Sequence, residues 1–116
     1  MVLPISCATE EVGMSVAIRT RVSAPVELYD AVHAEVVRRT GGAVDGLLVH
    51  VGLPTSDGFE VLEVWESRAA YEHYTETLVA PVVAELSAGR TGPGPEMTTE
   101  ELEPRGLVIT RSPVVV

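Results

Sequence analysis

A predicted β-hairpin occupies GLLVHVGLPTSDGFEVLEVWES, residues 46–67 of the chain. Apolar and β-branched side chains fill residues 46–53 and 59–66, and a turn sequence with proline and glycine, residues 54–58, separates the two runs. Runs of this kind on either side of a turn are typical of two antiparallel strands. Apolar residues occur on both faces of each predicted strand, so we expect both faces of the sheet to be buried.

Upstream of the hairpin, the sequence predicts one strand and one helix. Residues 14–22 alternate between apolar and polar side chains, which is the period of a strand. Ser23 is the predicted N-cap of the following helix, and Pro25 suits its first turn. Apolar positions then recur at helical spacing until Gly41 and Gly42, where we expect the helix to end.

Downstream of the hairpin, the sequence predicts a second helix and a last strand. Ser67 is the predicted N-cap of a helix that runs to about Ser87. Pro81 removes a backbone hydrogen bond from this helix and should kink or split it. After a loop rich in glycine and proline, residues 98–111 contain the predicted last strand, with residues 107–109 as its clearest part.

The order strand, helix, strand, strand, helix, strand predicts an α+β fold of the ferredoxin-like type, βαββαβ, with a four-stranded antiparallel sheet and two helices on one face. The length of 116 residues suffices for one domain. We expect a flexible arm at residues 1–13, the domain at residues 14–111 and an apolar tail at residues 112–116. Because the helices leave one apolar sheet face uncovered, we expect a homodimer through that face, a dimeric α/β barrel, with the tail docked on the partner subunit.

Composition narrows the classes of partner and chemistry. The formal net charge of −9 argues against nucleic acid and anionic membranes, since both bind basic surfaces. The sequence has no Lys, Asn or Gln, which excludes a lysine Schiff base and an amide oxyanion donor. Its one cysteine, Cys7, cannot form an internal disulfide. No apolar run reaches the roughly 18 residues of a membrane span and no signal peptide is recognisable, so we expect a cytoplasmic protein.

Residues 46–50 and 61–67, followed by Tyr71 and Tyr74, resemble the antibiotic biosynthesis monooxygenase-like family of dimeric α/β barrels. Trp65, followed by Glu and Ser, is the most recognisable part of this resemblance. The resemblance implies a cofactor-independent monooxygenase-like enzyme acting on a small aromatic or polyketide-like substrate, with no bound cofactor. The family also contains haem-degrading oxygenases and proteins without known activity, so the fold is implied more firmly than the chemistry.

Haem degradation is the least favoured of these activities. The resemblance to the haem-degrading branch implies an Asn on the first strand, a Trp at the end of the third and a His ligand on the next helix. Trp65 matches, but the sequence contains no Asn, and His73 follows Trp65 by only eight residues, short of the implied place.

The hairpin also suggests a candidate site. If the turn joins the strands symmetrically, His50 lies opposite Val61, and His50, Glu63 and Trp65 share one face of the sheet. We expect these three residues to line a pocket between the sheet and the helices, a layout like that of the family. The side chains predicted to close this pocket and bind substrate are Tyr29, His33, Tyr71 and Tyr74.

His50 and Glu63 are the candidate catalytic residues. An imidazole changes its charge near neutral pH, which suits His50 as a general base; the alternative is a strand histidine with satisfied hydrogen bonds. Glu63 is a candidate acid or base, or else an ion-pair partner for Arg19 or Arg21 on a neighbouring strand.

Each aromatic residue of the candidate site also has a purely structural interpretation. Trp65 offers a flat wall for an aromatic ligand, or it fills volume in the core. Tyr71 and Tyr74 either pack in the core or aim their hydroxyls at a ligand. We expect no metal site, because the histidines and the cysteine lack the spacing of metal ligands.

The second function we consider is a non-catalytic ligand-binding or structural dimer whose pocket is filled by its own side chains.

Overall fold

The computed structural model describes residues 15–110 and 115–116, so the predicted arm at residues 1–13 and residues 111–114 lie outside the described part. The regular elements in chain order are β1 (Val16–Ser23), α1 (Val26–Thr40), β2 (Leu47–Thr55), β3 (Gly58–Trp65), α2 (Arg68–Tyr74), a π-helical turn (Thr75–Val79), α3 (Ala80–Leu86) and β4 (Glu96–Leu102). The strands form one antiparallel sheet in the order β2-β3-β1-β4. This is the predicted ferredoxin-like α+β fold.

The core lies between the helices and one face of the sheet. Its buried members come from five different elements: Ile18, Val36, Trp65, Tyr74 and Val82. Trp65 and Val82 are fully buried. Because β1, β3 and all three helices contribute a side chain, the helical layer and the sheet are held together by one shared apolar cluster.

The hairpin has a shorter turn than predicted. Thr55 pairs with Gly58, and His50 lies opposite Glu63 instead of Val61. The predicted register was therefore wrong by two residues. Since side chains alternate with a period of two, this shift leaves His50, Glu63 and Trp65 on their predicted face. Leu47 was predicted on the same face as Val49 and Val51, but an irregularity in the pairing between Leu47 and Val49 places Leu47 opposite Trp65, against the core. Pro54 is accommodated because β2 is an edge strand.

The first helix begins later than predicted. Ser23 is the last residue of β1, and its hydroxyl donates to the Asp57 carboxylate at 3.3 Å. The N-cap position is Pro25, which makes no side-chain capping hydrogen bond, so the prediction of Ser23 as the cap was wrong. The helix ends as predicted, with Gly41 in the left-handed conformation at φ 69°. Among the described residues, no helix combines the length and apolar character needed to cross a membrane; the cytoplasmic location stays a prediction.

The second helix confirms both of its predicted features. Ser67 caps it by accepting a hydrogen bond from the backbone N–H of Ala70 at 3.1 Å. The helix is then split before Pro81 by a π-helical turn, and the proline falls in the first turn of α3. A proline there needs no N–H partner, so the interruption places Pro81 where its missing donor is not required.

The last strand lies earlier than predicted. β4 ends at Leu102, and residues 107–109 have no regular structure, with Val108 91% exposed. Five of the seven residues of β4 are polar, so hydrophobic patterning gave little signal for it. Backbone pairing with β1 and ion pairs to Glu100 and Glu101 hold it in place. The prediction of a strand centred on residues 107–109 was wrong.

The sheet face opposite the helices has an apolar half and a charged half. The pairing places on its apolar half the residues Val49, Val51, Leu53, Leu62 and Val64. Val51 and Leu53 are 38% and 45% exposed. On the other half, Arg19 and Arg21 pair with Glu60 at 3.8 and 3.2 Å. The exposed apolar half agrees with the expected need for a cover.

Removing the cap of α2 should destabilise the protein. We expect Ser67→Ala to lower the free energy of unfolding by about 1 kcal/mol, because the Ala70 N–H loses its acceptor. Urea denaturation measures this change. Ser56→Ala, in the exposed hairpin turn, is the matched control and should change stability by less than about 0.5 kcal/mol. Equal effects of the two substitutions would contradict the capping role.

Candidate functional site

A buried carboxylate anchors the candidate site. Glu63 is 6% exposed and points to the helix side of β3. The indole N–H of Trp65 donates to Glu63 Oε1 at 3.1 Å, and the Nδ1 atom of His50 lies 2.7 Å from Glu63 Oε2. Both carboxylate oxygens therefore have a partner, which is what a buried charge requires.

His50 continues this chain of hydrogen bonds to Tyr29. The Tyr29 hydroxyl lies 2.8 Å from Nε2 of His50. A carboxylate only accepts hydrogen bonds, so Glu63 fixes the proton of a neutral His50 on Nδ1. Nε2 then accepts from the Tyr29 hydroxyl. The three residues form a directed relay, Tyr29 to His50 to Glu63, which we call the proton relay.

The local sequence explains why these side chains meet. His50 and Glu63 are direct cross-strand partners on β2 and β3, and Trp65 follows Glu63 by two residues on the same face. Tyr29 lies in α1, which packs across this face. Sequence reasoning placed His50, Glu63 and Trp65 on one face, and the hydrogen bonds among them agree with that placement.

Sequence reasoning missed Gly52, which makes room for Tyr29. A Cβ atom on Gly52 would lie 2.2 Å from Cζ of Tyr29 and 2.4 Å from its hydroxyl. Any side chain there would push the ring away from His50. A glycine inside a predicted strand is a known signal for the close approach of another group, so the sequence did contain this information.

The Trp65 end of the site is packed in the core, and the His50 end is partly exposed. Trp65 is fully buried, and its ring centroid lies 5.0 Å from that of Tyr74 and 5.9 Å from that of Tyr71. The His50 side chain is 21% exposed. The ring of Trp65 thus belongs to the core, the packing alternative given above, and contact with solvent occurs at the His50 end.

His33 lies beside the proton relay without belonging to it. Its ring centroid is 5.3 Å from that of Tyr29 and 5.4 Å from that of His50, with ring planes within 13° and 10° of parallel. Its Nε2 atom lies 2.5 Å from a main-chain oxygen of Val116, the last residue of the sequence, where the oxygen belongs to a carboxylate. The tail was predicted to dock on a partner subunit; here Val116 contacts α1 of its own chain.

The structure contradicts the predicted ion pair of Glu63. Arg19 and Arg21 lie on the opposite sheet face and pair with Glu60, so the predicted ion pair of either with Glu63 was wrong.

Two surface clefts occur at the hairpin end of the sheet, lined among others by Ser23 and Asp57, and neither contains a predicted site residue. Within residues 15–110 and 115–116, no group of three or more His, Cys, Asp and Glu side chains could hold a metal ion.

Several solved structures share this architecture. A candidate antibiotic biosynthesis monooxygenase from Caulobacter crescentus matches with a TM-score of 0.59 at 14% identity, over 87% of this chain and 99% of that chain. A mutant of SnoaB, a cofactor-independent oxygenase from Streptomyces nogalater, matches with a TM-score of 0.58 at 18% identity, over 82% of this chain and 97% of that chain. A protein of unknown function from Nitrosomonas europaea matches with a TM-score of 0.58 at 18% identity, over 84% of this chain and 99% of that chain. No protein-family model and no curated protein matches the chain.

The chain shares the fold of the antibiotic biosynthesis monooxygenase-like proteins. The resemblance predicted from the hairpin and from Trp65 is thereby confirmed at the level of the fold. Identities of 14% to 18% establish a common fold and no activity. Within this fold, the Tyr29–His50–Glu63 chain lies between the sheet and α1, with His50 on the edge strand β2.

Burial controls the ionisation of the tyrosines. Desolvation raises the pKa of Tyr29 above its ordinary value of 10.0, and the nearby charges of Glu63 and Asp30 raise it further. Burial also raises the pKa of Tyr74, with Glu63 as a smaller cause. The folded protein therefore favours both neutral phenols. Their contribution to stability is present below pH 10.0 and is lost as the pH rises through the raised values.

A side chain at position 52 should disturb Tyr29 selectively. We expect Gly52→Ala to displace the Tyr29 ring toward solvent, which lowers the pKa of Tyr29 back toward 10.0 and the stability by about 1 to 3 kcal/mol. Alkaline titration of the tyrosinate absorbance measures the pKa, with Tyr29→Phe identifying the signal. Gly94→Ala, at a position with open space around it, is the control. An unchanged titration in Gly52→Ala would contradict the close packing.

Proposed function

We propose that this chain is a cofactor-independent enzyme that removes a proton from a hydroxylated aromatic or polyketide-like substrate. The observation that carries the proposal is the proton relay, in which a buried carboxylate, an imidazole and a phenol are joined by hydrogen bonds of 2.7 and 2.8 Å. Its outer end is Tyr29, which is half-buried, and a substrate hydroxyl would approach there.

The relay supplies a base without exposing His50 to the substrate. Both nitrogen atoms of His50 are occupied, so the proton of the substrate hydroxyl passes to the Tyr29 oxygen while the Tyr29 proton moves to Nε2 of His50. The product of this step is a substrate anion beside an imidazolium that the Glu63 carboxylate stabilises. Because the pKa of Tyr29 is raised, its neutral form is the resting state and its oxygen holds an accepted proton well.

The anion is the species that would react with dioxygen. In such a reaction a methylene carbon conjugated to the anion becomes a ketone, one oxygen atom of dioxygen enters the substrate and the other leaves as water. The methylene carbon supplies the four electrons, so no metal or flavin is required for the balance. Support for this class of reaction comes from the shared fold with SnoaB, a cofactor-independent oxygenase, and the proton step is supported by the site itself.

Changes in the proton relay should abolish activity without unfolding the protein. We expect Tyr29→Phe, His50→Gln and Glu63→Gln each to lower kcat/KM about 100- to 10,000-fold, as for loss of a general base. Glu63→Gln should lower the rate because it changes the tautomer of His50. The indole N–H of Trp65 keeps the amide oxygen of the new side chain on its side, so the amide N–H₂ faces Nδ1 of His50. Nδ1 must then accept, and the imidazole proton moves to Nε2. Oxygen consumption with 1,8-dihydroxyanthrone as the probe measures the rate.

Exposed residues of the same types provide the controls. His73→Gln and Glu66→Gln lie outside the relay and should keep wild-type rates. Thermal unfolding should show that the relay variants remain folded at the assay temperature. Wild-type oxygen consumption in His50→Gln would contradict the proposed function. Tight binding of the probe by the wild-type protein without oxygen consumption would favour a ligand-binding role.

A second candidate function is a structural dimer without chemistry. The observation in its favour is the tight packing of Trp65 against Tyr71 and Tyr74, which fills the place where a substrate pocket was predicted. In either function we propose that a second copy of the chain covers the apolar half of the open sheet face. A two-fold axis would place the apolar patch of one subunit against the same patch of the other, so both sides of the contact would be apolar.

A charge in the apolar half of the sheet face should separate the two copies. We expect Leu53→Asp to convert the dimer to a monomer, since the charge would be buried without a partner. Leu86→Asp on α3 is the matched control, because Leu86 is 40% exposed and Leu53 is 45% exposed. Light scattering coupled to size exclusion gives the masses. A wild-type monomer, or a dimer in Leu53→Asp, would contradict the proposed interface.

A further inference from the structure

The proton relay also has the arrangement of a nucleophilic triad. The Tyr29 hydroxyl lies 2.8 Å from Nε2 of His50, and Nδ1 of His50 lies 2.7 Å from the Glu63 carboxylate. Enzymes that form covalent intermediates hold a hydroxyl nucleophile beside a base in this way, and a third group orients the base. The same three side chains are therefore arranged for a second kind of step, in which the Tyr29 oxygen forms a bond to carbon.

Tyr29 differs from the other two tyrosines in having such a base. The rings of Tyr71 and Tyr74 pack against Trp65. Within residues 15–110 and 115–116, neither of their hydroxyls is hydrogen-bonded to a histidine ring. Tyr71 is half-buried, as Tyr29 is, whereas Tyr74 is buried. Tyr71 is thus a comparison of similar exposure that lacks the base.

The nucleophile and its base lie nearer the molecular surface than the carboxylate does. Glu63 is 6% exposed, whereas the His50 side chain is 21% exposed and Tyr29 is half-buried. His50 lies on the edge strand β2, and the missing side chain of Gly52 leaves the space that the Tyr29 hydroxyl occupies. This position suits reaction with a small acyl group.

The acidity of a phenol decides which acyl donors can react with it. An acyl group passes readily to a phenol from a leaving group that is an equally strong or stronger acid. The pKa of a thiol side chain is about 8.5 and that of tyrosine about 10, and alkyl alcohols are far weaker acids. Thioesters and aryl esters are therefore the donors that fit, and alkyl esters are excluded. Burial raises the pKa of Tyr29 above 10.0, which slows the loss of its oxygen from an ester once formed.

We propose that Tyr29 accepts an acyl group from thioesters and aryl esters, with His50 as its general base. The Tyr29 oxygen bonds to the acyl carbon while its proton moves to Nε2 of His50, and Glu63 stabilises the imidazolium. The bond from the acyl carbon to the leaving group then breaks, and the leaving group takes the proton from His50. The products are an acyl ester of Tyr29 and a free thiol or phenol, with no change of oxidation state. Water, activated by His50, then releases the acid and restores Tyr29.

Peptide mapping after incubation with p-nitrophenyl acetate locates the acyl group. The chain has no lysine, so side-chain amines do not compete for the reagent and trypsin cleaves after arginine alone. One tryptic peptide, residues 22–38, then contains Tyr29, and another, residues 69–90, contains Tyr71 and Tyr74. Fragment ions distinguish Tyr29 from His33 in the first peptide. We expect Tyr29 to be acetylated about 100-fold faster than Tyr71, because Tyr29 alone has a general base.

Variants and a change of acyl donor complete the test. Tyr29→Phe should abolish acetylation at position 29, and His50→Gln should slow acetylation of Tyr29 about 100-fold. His73→Gln, at an exposed position, is the matched control and should keep the wild-type rate. S-acetyl-N-acetylcysteamine should acetylate Tyr29 as well, and ethyl acetate should not.

Two results would overturn the acyl-acceptor role. One is a wild-type rate of Tyr29 acetylation in His50→Gln, provided that thermal unfolding shows this variant to be folded. The other is equal acetylation of Tyr29 and Tyr71 in the wild-type protein, which needs no variant.

This activity goes beyond the proposed function, and the two fail separately. If the wild-type protein acetylates Tyr29 but consumes no oxygen with 1,8-dihydroxyanthrone, the acyl-acceptor role stands and the proposed function fails. If oxygen consumption is present and is lost in Tyr29→Phe while Tyr29 of the wild-type protein stays unacetylated, the proposed function stands and the acyl-acceptor role is overturned.

Discussion

The carboxylate of Glu63 is the constraint on which the rest of the site depends. A buried charge destabilises a fold by several kcal/mol unless it is paired and hydrogen-bonded. The chain meets this requirement with Trp65 on one oxygen and His50 on the other. Each partner has a second role: Trp65 is fully buried in the core, and His50 reaches the open edge of the sheet. The packed core and the hydrogen-bonded chain to Tyr29 are thus joined through one side chain.

This connection fixes the direction of the hydrogen bonds along the chain. Trp65 can only donate, so it holds one oxygen of Glu63 and leaves the other to His50. The tautomer of His50 follows, and with it the orientation of the Tyr29 hydroxyl. The same logic orders the imidazole in hydrolytic triads, where the carboxylate acts through the tautomer it imposes. Both ring nitrogen atoms of His50 are thereby engaged, and Tyr29 ends the chain of hydrogen bonds.

The sequence predicted the faces of the hairpin better than its register. The alternation of side chains survives a shift of two residues, so His50, Glu63 and Trp65 were placed together although the turn proved shorter. β4 was misplaced because its polar residues carry no hydrophobic signal, while residues 107–109 do. The contact of His33 with Val116 joins residues 83 positions apart and depends on the path of the chain, which local patterns do not contain.

The strand order has a consequence for the dynamics of the site. Among the described strands, β2 is hydrogen-bonded to β3 alone, whereas β3 lies between two neighbours. Edge strands open by local fluctuation more readily than central ones, and their amides exchange with solvent sooner. The proton relay therefore crosses a gradient of local stability: Glu63 lies in the strand that opens last, and His50 lies in one that opens early. Opening of β2 would break the contacts of His50 while the Glu63 carboxylate keeps its hydrogen bond to Trp65 in the core.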